Sequence, residues 1–255
     1  MPPSASATRR ATIADLAMTS GLMSVEALSE RFDVTSSTIR RDLARLVAEG
    51  RVARTYGGAI PTGVHSESTL PQRRGEAHAE KAAIARWAAE QVDSGDTVLL
   101  DAGSTVAELA DLLRPVDDLT VGTVSLSVVS ALSDAAGVTV ECLGGTLRPL
   151  SQGFYGPLAE AALERMTFDS VFLGTDGVSL EGEICEADLA QTRLKEMMIR
   201  RSEKVFVLAH GTKIGLTPFH ATLRLSPPWT LVTDSSAPAD KVDELRSLGV
   251  SVVVI

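Results

Sequence analysis

The sequence predicts an α/β chain of two domains: a small N-terminal winged helix-turn-helix domain and a larger doubly wound, mostly parallel α/β domain. Three observations carry that expectation. Arginines concentrate within the first sixty residues, in a chain that is acidic as a whole. Helical periodicity divides that segment into three helices, the second and third joined by a three-residue turn, and a hairpin follows. Beyond residue 76, short apolar runs alternate with helical segments to the end of the sequence.

Length and composition set the outer bounds. The 255 residues suit one large domain plus one small one, and 44% hydrophobic content excludes wholesale disorder. The net charge of −9, from 24 Lys+Arg against 33 Asp+Glu, taken whole speaks against contact with nucleic acid. Placed along the chain, the charges say otherwise. Residues 1–60 hold 8 Arg and 6 Asp+Glu, a net of +2, while residues 61–255 hold 16 and 27, a net of −11. Such asymmetry points to a nucleic-acid module on an acidic body. Cys142 and Cys185 are far apart and outside any CxxC spacing, which argues against a disulfide framework or structural zinc. MPPSASATRR has no apolar stretch before its arginines, and no run of 18 apolar residues occurs, so a cytoplasmic location away from membranes is expected.

The first helix is expected over 8–20, where Ile13, Leu16 and Ala17 recur at helical spacing, after a disordered stretch 1–7. The second, 24–32, opens on a Ser24 cap and buries Val25, Leu28 and Phe32. After Asp33-Val34-Thr35 comes SSTIRRDLARLVAEG (36–50), stopped by Gly50. With Ile39 at 0° on a helical wheel, Leu43, Leu46 and Val47 fall within about 80° of it. Ser37, Arg41, Ala44, Arg45 and Ala48 lie opposite, with Arg40 on the flank. A face of small residues and arginines can enter a major groove, and Thr35, Ser36, Ser37 and Thr38 add hydroxyls near the positive end of the helix dipole. RVARTYGGAIP (51–61) reads as a hairpin turning at Gly57-Gly58, with Arg51 and Arg54 on a wing beside the phosphate backbone. The stretch 61–76 mixes Pro, Gly, Ser and charge without apolar periodicity and reads as a linker.

The run SVEALSERFDVTSSTIRRDLARLVAEGRVARTYGGAI (24–60) resembles the DNA-binding domain of DeoR-type bacterial repressors, including their TIRRDL and arginine-to-GGA segments. That resemblance implies double-stranded operator DNA as a partner for residues 8–60, contacted by Thr35, Ser36, Ser37, Thr38, Arg40, Arg41, Arg45, Arg51 and Arg54.

The remaining residues, 77–255, predict strands at 97–100, 119–124, 138–143, 168–174, 204–209, 230–234 and 250–255. Helices are expected at 76–92, 104–113, 125–135, 157–166, 187–201 and 238–247. Strands apolar on both faces and separated by helices imply a parallel, doubly wound sheet, whose ligands sit at the carboxyl ends of strands. The positions just after each strand supply the candidates: Asp101, Gly103, Ser104 and Thr105, then Ser125, Gly145, Asp176, Gly177 and Lys213. A Gly-Ser-Thr turn opening a helix presents amides and hydroxyls to an anion, and Lys213 adds a cation. A small polyol bearing a phosphate fits that set.

LDAGSTVAELA (100–110), LGGTLRPLSQGFYGP (143–157), VFLGTDGVSLEGEICEAD (171–188) and AHGTKIG (209–215) resemble the effector domain of the same family. The resemblance implies a fold similar to ribose-phosphate isomerases and a phosphorylated sugar or related metabolite as effector. It also implies control of a carbohydrate or related catabolic operon, without catalysis. One departure stands out: the family's usual Asp-Ser-Ser-Lys run is His210-Gly211-Thr212-Lys213 here. The alternative reading is a sugar-phosphate isomerase carrying a DNA-binding module, with Asp176, Glu181, Glu183 and Glu186 as candidate carboxylates. A single glycine in the first strand–helix turn argues against a nicotinamide cofactor, and His210 and His220 lack a third metal ligand in pattern, so neither cofactor nor metal is expected. Helix-turn-helix proteins read paired half-sites as dimers, so a homo-oligomer is expected.

Overall fold

The computed structural model describes residues 5–20, 23–48, 52–55, 58–61, 67 and 69–255. The chain divides into two compact units, Met1–Ser66 with Leu216–Pro218, and Glu67–Gly215 with Phe219–Ile255.

In the first unit, α1 (Ala5–Ser20) begins within the stretch expected to be disordered. Ala5-Ser6-Ala7 is helical, as alanine's propensity favours, and residues 1–4 lie outside the described set. A two-residue strand β1 (Met23–Ser24) precedes α2 (Val25–Phe32), whose first turn is capped by Ser24 accepting from Ala27 N–H at 3.1 Å. Asp33 ends α2 in the left-handed region, φ 49°, a conformation that Asp tolerates better than most residues. Helix α3 (Ser36–Ala48) follows, and β2 (Val52–Thr55) and β3 (Gly58–Pro61) pair antiparallel from Thr55↔Gly58 to Val52↔Pro61. The short strand β1 adds to the far side of β3, giving the order β1-β3-β2, an extension the sequence reading lacked. Ile13, Val25, Leu28, Ile39, Leu43 and Leu46 form the core of this unit, so the apolar face predicted on α3 is the buried one.

The second unit opens with α4 (Leu70–Gly75), inside the expected linker 61–76. One local feature and one tertiary feature make this stretch helical. Gln72 Oε1 accepts from both the amide and the hydroxyl of Thr69, and Leu70 is buried with its N–H on Leu150 O. Then come α5 (His78–Ala89), β4 (Thr97–Leu100), α6 (Ser104–Leu113), β5 (Leu119–Thr123), α7 (Leu126–Leu132) and β6 (Val138–Cys142). A hairpin, β7 (Thr146–Arg148) and β8 (Gly153–Tyr155), leads to α8 (Pro157–Leu163) and β9 (Phe168–Leu173). The rest is β10 (Gly177–Val178), β11 (Glu183–Glu186), α9 (Leu189–Arg200), β12 (Ser202–Leu208), β13 (Ala221–Arg224), β14 (Thr230–Thr233), α10 (Ala239–Ser247) and β15 (Ser251–Val254).

Seven strands form one parallel sheet in the order β15-β14-β12-β9-β4-β5-β6, and β10-β11-β13 form a small antiparallel sheet. Alternate residues serve opposite cores. Leu99, Val171, Leu173, Val207 and Leu231 join Leu194, Met198 and Leu245 on one face. Val98, Leu100, Phe172, Leu208 and Val232 join Ile84, Val106, Leu109 and Val128 on the other. This double burial is why the strands read as unbroken apolar runs. From β4 the chain winds outward to β5 and β6, then returns to β9 and winds the other way, so strand order reverses between β4 and β9. At such a switch point the helices diverge and leave a crevice at the strands' carboxyl ends.

Candidate functional site

On α3, Ser37, Arg40, Arg41, Ala44 and Arg45 are exposed, while Ile39, Leu43 and Leu46 are buried. The helix's buried acid, Asp42, is 5% exposed and turned toward α1, where Arg9 Nε meets Oδ2 at 2.7 Å and Arg10 Nη1 meets Oδ1 at 3.5 Å. Arg9 and Arg10 are therefore occupied internally. Among the described residues, Arg40, Arg41 and Arg45 make no ion pair. The outcome is a helix face whose positive charge is uncompensated by its own acid.

The hydroxyls at the start of α3 are partly committed to its cap. Thr35 Oγ1 accepts from Thr38 N–H at 3.3 Å and lies 2.9 and 3.0 Å from the hydroxyls of Ser37 and Thr38. Ser36 accepts from Ser29 of α2 at 3.4 Å, which helps fix the angle between the two helices. Arg51 lies outside the described residues, as does the side chain of Arg54, whose backbone pairs with Ala59 in the hairpin.

At the switch point of the large sheet, a polar cleft is lined by Arg73, Gly103, Ser104, Thr105, Gly174, Asp176, Glu186, Lys195 and Lys213 among others. Lys195 is 2% exposed and sits at its floor. Its ammonium donates to Gly174 O at 2.6 Å, lies 3.0 Å from Asp101 Oδ2, and pairs with Glu186. Asp101 Oδ2 also accepts from Gly174 N–H at 3.0 Å, so the cluster ties together the ends of β4, β9 and β11. Burial works to neutralise Lys195, but Asp101 and Glu186 outweigh it and hold the ammonium above its ordinary range. Asp176 accepts from Ala187 N–H and meets Arg73 Nη1 at 3.3 Å.

Lys213 has a different environment. Its ammonium donates to Thr175 O at 2.6 Å, and among the described residues it makes no ion pair. Burial lowers its pKa, Asp176 opposes this, and the charge of Arg73 adds to it. Nearby Lys81, held by the carbonyls of Arg73 and Glu76, is brought down to about 8, first by burial and then by the charge of Lys213. Depressed lysines with few carboxylate partners, beside the amides of a helix first turn, mark a place where an anion is favourable. The cavity itself measures about 20 Å³, little more than a water molecule occupies.

Of the residues expected at the strand ends, Gly103, Ser104, Thr105, Asp176 and Lys213 line this cleft, and Asp101 is reached only through Lys195 and the Gly174 amide. Ser125, Gly145 and Gly177 do not line the cleft. Ser125 caps α7 by accepting from Val128 N–H. Gly145, at φ 114°, faces Tyr155 O, which any Cβ would approach to 2.5 Å. Gly177 pairs with Cys185 and exchanges hydrogen bonds with the Thr175 hydroxyl. The sequence reading missed Arg73 and Lys195 altogether and met Glu186 only as a candidate base. Lys195 had a signal: with Gln191, Leu194 and Met198 it lies on the buried stripe of α9.

The His210-Gly211-Thr212 departure also has a structural account. Gly211 N–H donates to Asp234 Oδ2 at 2.7 Å, and a Cβ on Gly211 would lie 2.2 Å from Ala237 N. The 234–237 turn thus excludes any side chain at position 211. His210 Nδ1 lies 2.8 Å from Thr212 Oγ1, and its Nε2 lies 3.7 Å from Asp234. Burial works against the Asp234 charge, but hydrogen bonds from Ser236 and Gly211 and the nearby His210 hold its carboxyl low.

Comparison with known proteins adds a second line of evidence. Residues 9–62 match the DeoR-like helix-turn-helix domain and residues 76–235 the DeoR C-terminal sensor domain. The chain is 33% identical over 250 residues to a putative aga operon transcriptional repressor of Escherichia coli O157:H7, covering 97% of this chain and 93% of that one. It is 34% identical to the HTH-type transcriptional regulator GlpR of Haloferax volcanii, covering 97% of each. It is 28% identical to the glycerol-3-phosphate regulon repressor of Escherichia coli K12, covering 91% of this chain and 92% of that one. Among the described residues, no helix is long and apolar enough to cross a membrane.

Proposed function

We propose a metabolite-controlled repressor function for this chain, which belongs to the DeoR family of DNA-binding transcriptional regulators. Residues 8–60 read operator DNA and residues 77–255 sense the effector. Arg41 and Arg45 reach base edges or phosphates from α3. Arg40, with Arg51 and Arg54 of the hairpin, contacts the phosphate backbone, and Thr35, Ser36, Ser37 and Thr38 lie close to the same strand. The single observation that carries this reading is the exposed trio Arg40, Arg41 and Arg45, without an ion pair among the described residues, on a helix whose buried acid is turned inward onto Arg9 and Arg10.

The effector is a phosphorylated sugar or related catabolite, and the regulated genes belong to a carbohydrate or related catabolic operon. Support comes from the cleft: the first turn of α6 offers amides and the Ser104 and Thr105 hydroxyls, and Lys213 offers a cation that makes no ion pair among the described residues. A Cβ on Gly103 would meet Gly174 Cα at an ordinary 3.7 Å, so packing alone does not demand glycine there, whereas close approach of an oxyanion does. Asp101 positions Lys195 and the β9 end, and Asp176 takes the sugar hydroxyls. The protein binds its ligand without turning it over, in keeping with relatives described as transcriptional regulators and repressors. It acts in the cytoplasm as a homo-oligomer on paired half-sites.

The test is a gel-shift titration on operator fragments selected from random DNA. The Arg40→Ala/Arg41→Ala double variant, folded by circular dichroism, is expected to lose operator binding. Retention of wild-type affinity refutes the assignment of α3.

A further inference from the structure

We propose that Arg73, on the helix through which the chain enters the sensor unit, exchanges its ion pair with Asp176 for the anionic group of the ligand. In doing so it transmits occupancy of the cleft to α4. This rests on the reading of the cleft as the effector site and adds the element that responds.

The guanidinium lines the cleft beside the first turn of α6 and is poorly satisfied there. Nη1 meets Asp176 Oδ1 at 3.3 Å, Nη2 lies 3.8 Å from Glu67 Oε1, and the buried Nε and Nη2 have no hydrogen-bond partner among the described residues. Unmade hydrogen bonds on a buried charged group are unfavourable, and a phosphate oxyanion can satisfy a guanidinium fork in a bidentate way that Asp176 does not achieve. An arriving anion also repels the Asp176 carboxylate across the same space. A cavity of about 20 Å³ cannot take a sugar phosphate unless side chains around it move, and the Arg73–Asp176 pair belongs to its lining.

The position of Arg73 gives that movement a consequence. The second unit begins at Glu67, and α4 is only six residues long. Several of the restraints on it involve Arg73 or its neighbours. Glu67 pairs with Arg148 and approaches Arg73, while Lys81 holds the carbonyls of Arg73 and Glu76. A change of partner at this side chain therefore alters the restraints on α4, in the segment that follows the DNA-binding unit in sequence. The two pairings, Arg73 with Asp176 or with ligand, are the two arrangements a ligand needs if it is to bias a distant equilibrium.

The test is backbone amide hydrogen exchange on the full chain, with inorganic phosphate as the probe and chloride at matched ionic strength as the control. Phosphate is expected to slow exchange at 103–106 in both the wild type and Arg73→Gln. At 70–76 it should change exchange at least threefold in the wild type only. Protection at 103–106 with no wild-type response at 70–76, or an equal response in Arg73→Gln, overturns the exchange and leaves the cleft reading standing. No protection at 103–106 in the wild type overturns both. If Arg73→Gln loses both effects, Arg73→Lys decides. Recovery at 103–106 without the 70–76 response supports the exchange, and loss of both overturns it.

Discussion

Replacing the arginines of α3 with Ala, and comparing them with those of α1, separates DNA contact from internal pairing. Arg40, Arg41 and Arg45 are exposed and make no ion pair among the described residues, whereas Arg9 and Arg10 hold Asp42 at 2.7 and 3.5 Å. Each phosphate neutralised on duplex DNA contributes about −0.9 to the slope of log affinity against log salt. Losing three contacts flattens the slope by about 2.7 per bound protomer, and by about 5.4 for a pair on two half-sites. At about 0.15 M salt each contact is worth roughly a factor of five, so the triple variant binds about 100-fold more weakly per protomer. Arg9→Ala takes the closer partner from Asp42, which is 5% exposed, and costs about 1–3 kcal/mol of stability. It leaves the salt slope of the folded protein unchanged. The assay is fluorescence anisotropy on operator DNA over a salt series, paired with urea denaturation. The reasoning is refuted if Arg9→Ala flattens the slope as much as Arg41→Ala, or if a folded triple variant keeps the wild-type slope.

Three further outcomes follow from the sensor unit. Lys195→Met leaves Asp101 and Glu186 buried without their cation and is expected to destabilise by about 3–5 kcal/mol in urea, most of it recovered by adding Asp101→Asn and Glu186→Gln; a loss below about 1 kcal/mol contradicts the stapling role. Sulfate, which does not titrate near neutrality, is expected to bind the cleft more weakly as pH rises above 8. Lys81, at about 8 instead of its ordinary 10.5, must then take up a proton on binding, and affinity rising between pH 7 and 9 in calorimetry reverses the sign of that linkage. Gly211→Ser places a Cβ 2.2 Å from Ala237 N and is expected to cost about 1–3 kcal/mol in thermal unfolding, whereas an unchanged melting temperature means the 234–237 turn is free to move.

The parallel strands were legible because burial on both faces leaves Val, Leu and Phe in unbroken runs, as at Val171, Phe172 and Leu173. The inward face of α3 was legible for a related reason: Ile39, Leu43 and Leu46 repeat at helical spacing. Most of what escaped depends on long-range contact. Helix α4 has no apolar periodicity; the local Thr69–Gln72 capping box was readable in the sequence and was overlooked, while the docking of Leu70 at Leu150 is long-range and was not readable. Arg73 was hidden with it. Lys195 lay on a buried stripe, but its partners Asp101 and Glu186 come from distant strands whose spacing announces no pair. Ser125, Gly145 and Gly177 follow strands just as Asp101 and Asp176 do, yet serve a helix cap, a close backbone approach and a local hydrogen-bond pair. A polar turn at a strand end is thus a necessary mark of the site and an insufficient one.

Control of operator binding through the cleft is tested most directly by titrating the full chain onto operator DNA with phosphorylated sugars and related catabolites. Calorimetry on the wild type and Lys213→Ala identifies which of them occupy the cleft. A compound bound by the wild type and lost in Lys213→Ala is expected to change operator affinity by about tenfold or more, a coupling of about 1.4 kcal/mol. Compounds that bind through Lys213 and leave operator affinity unchanged contradict it.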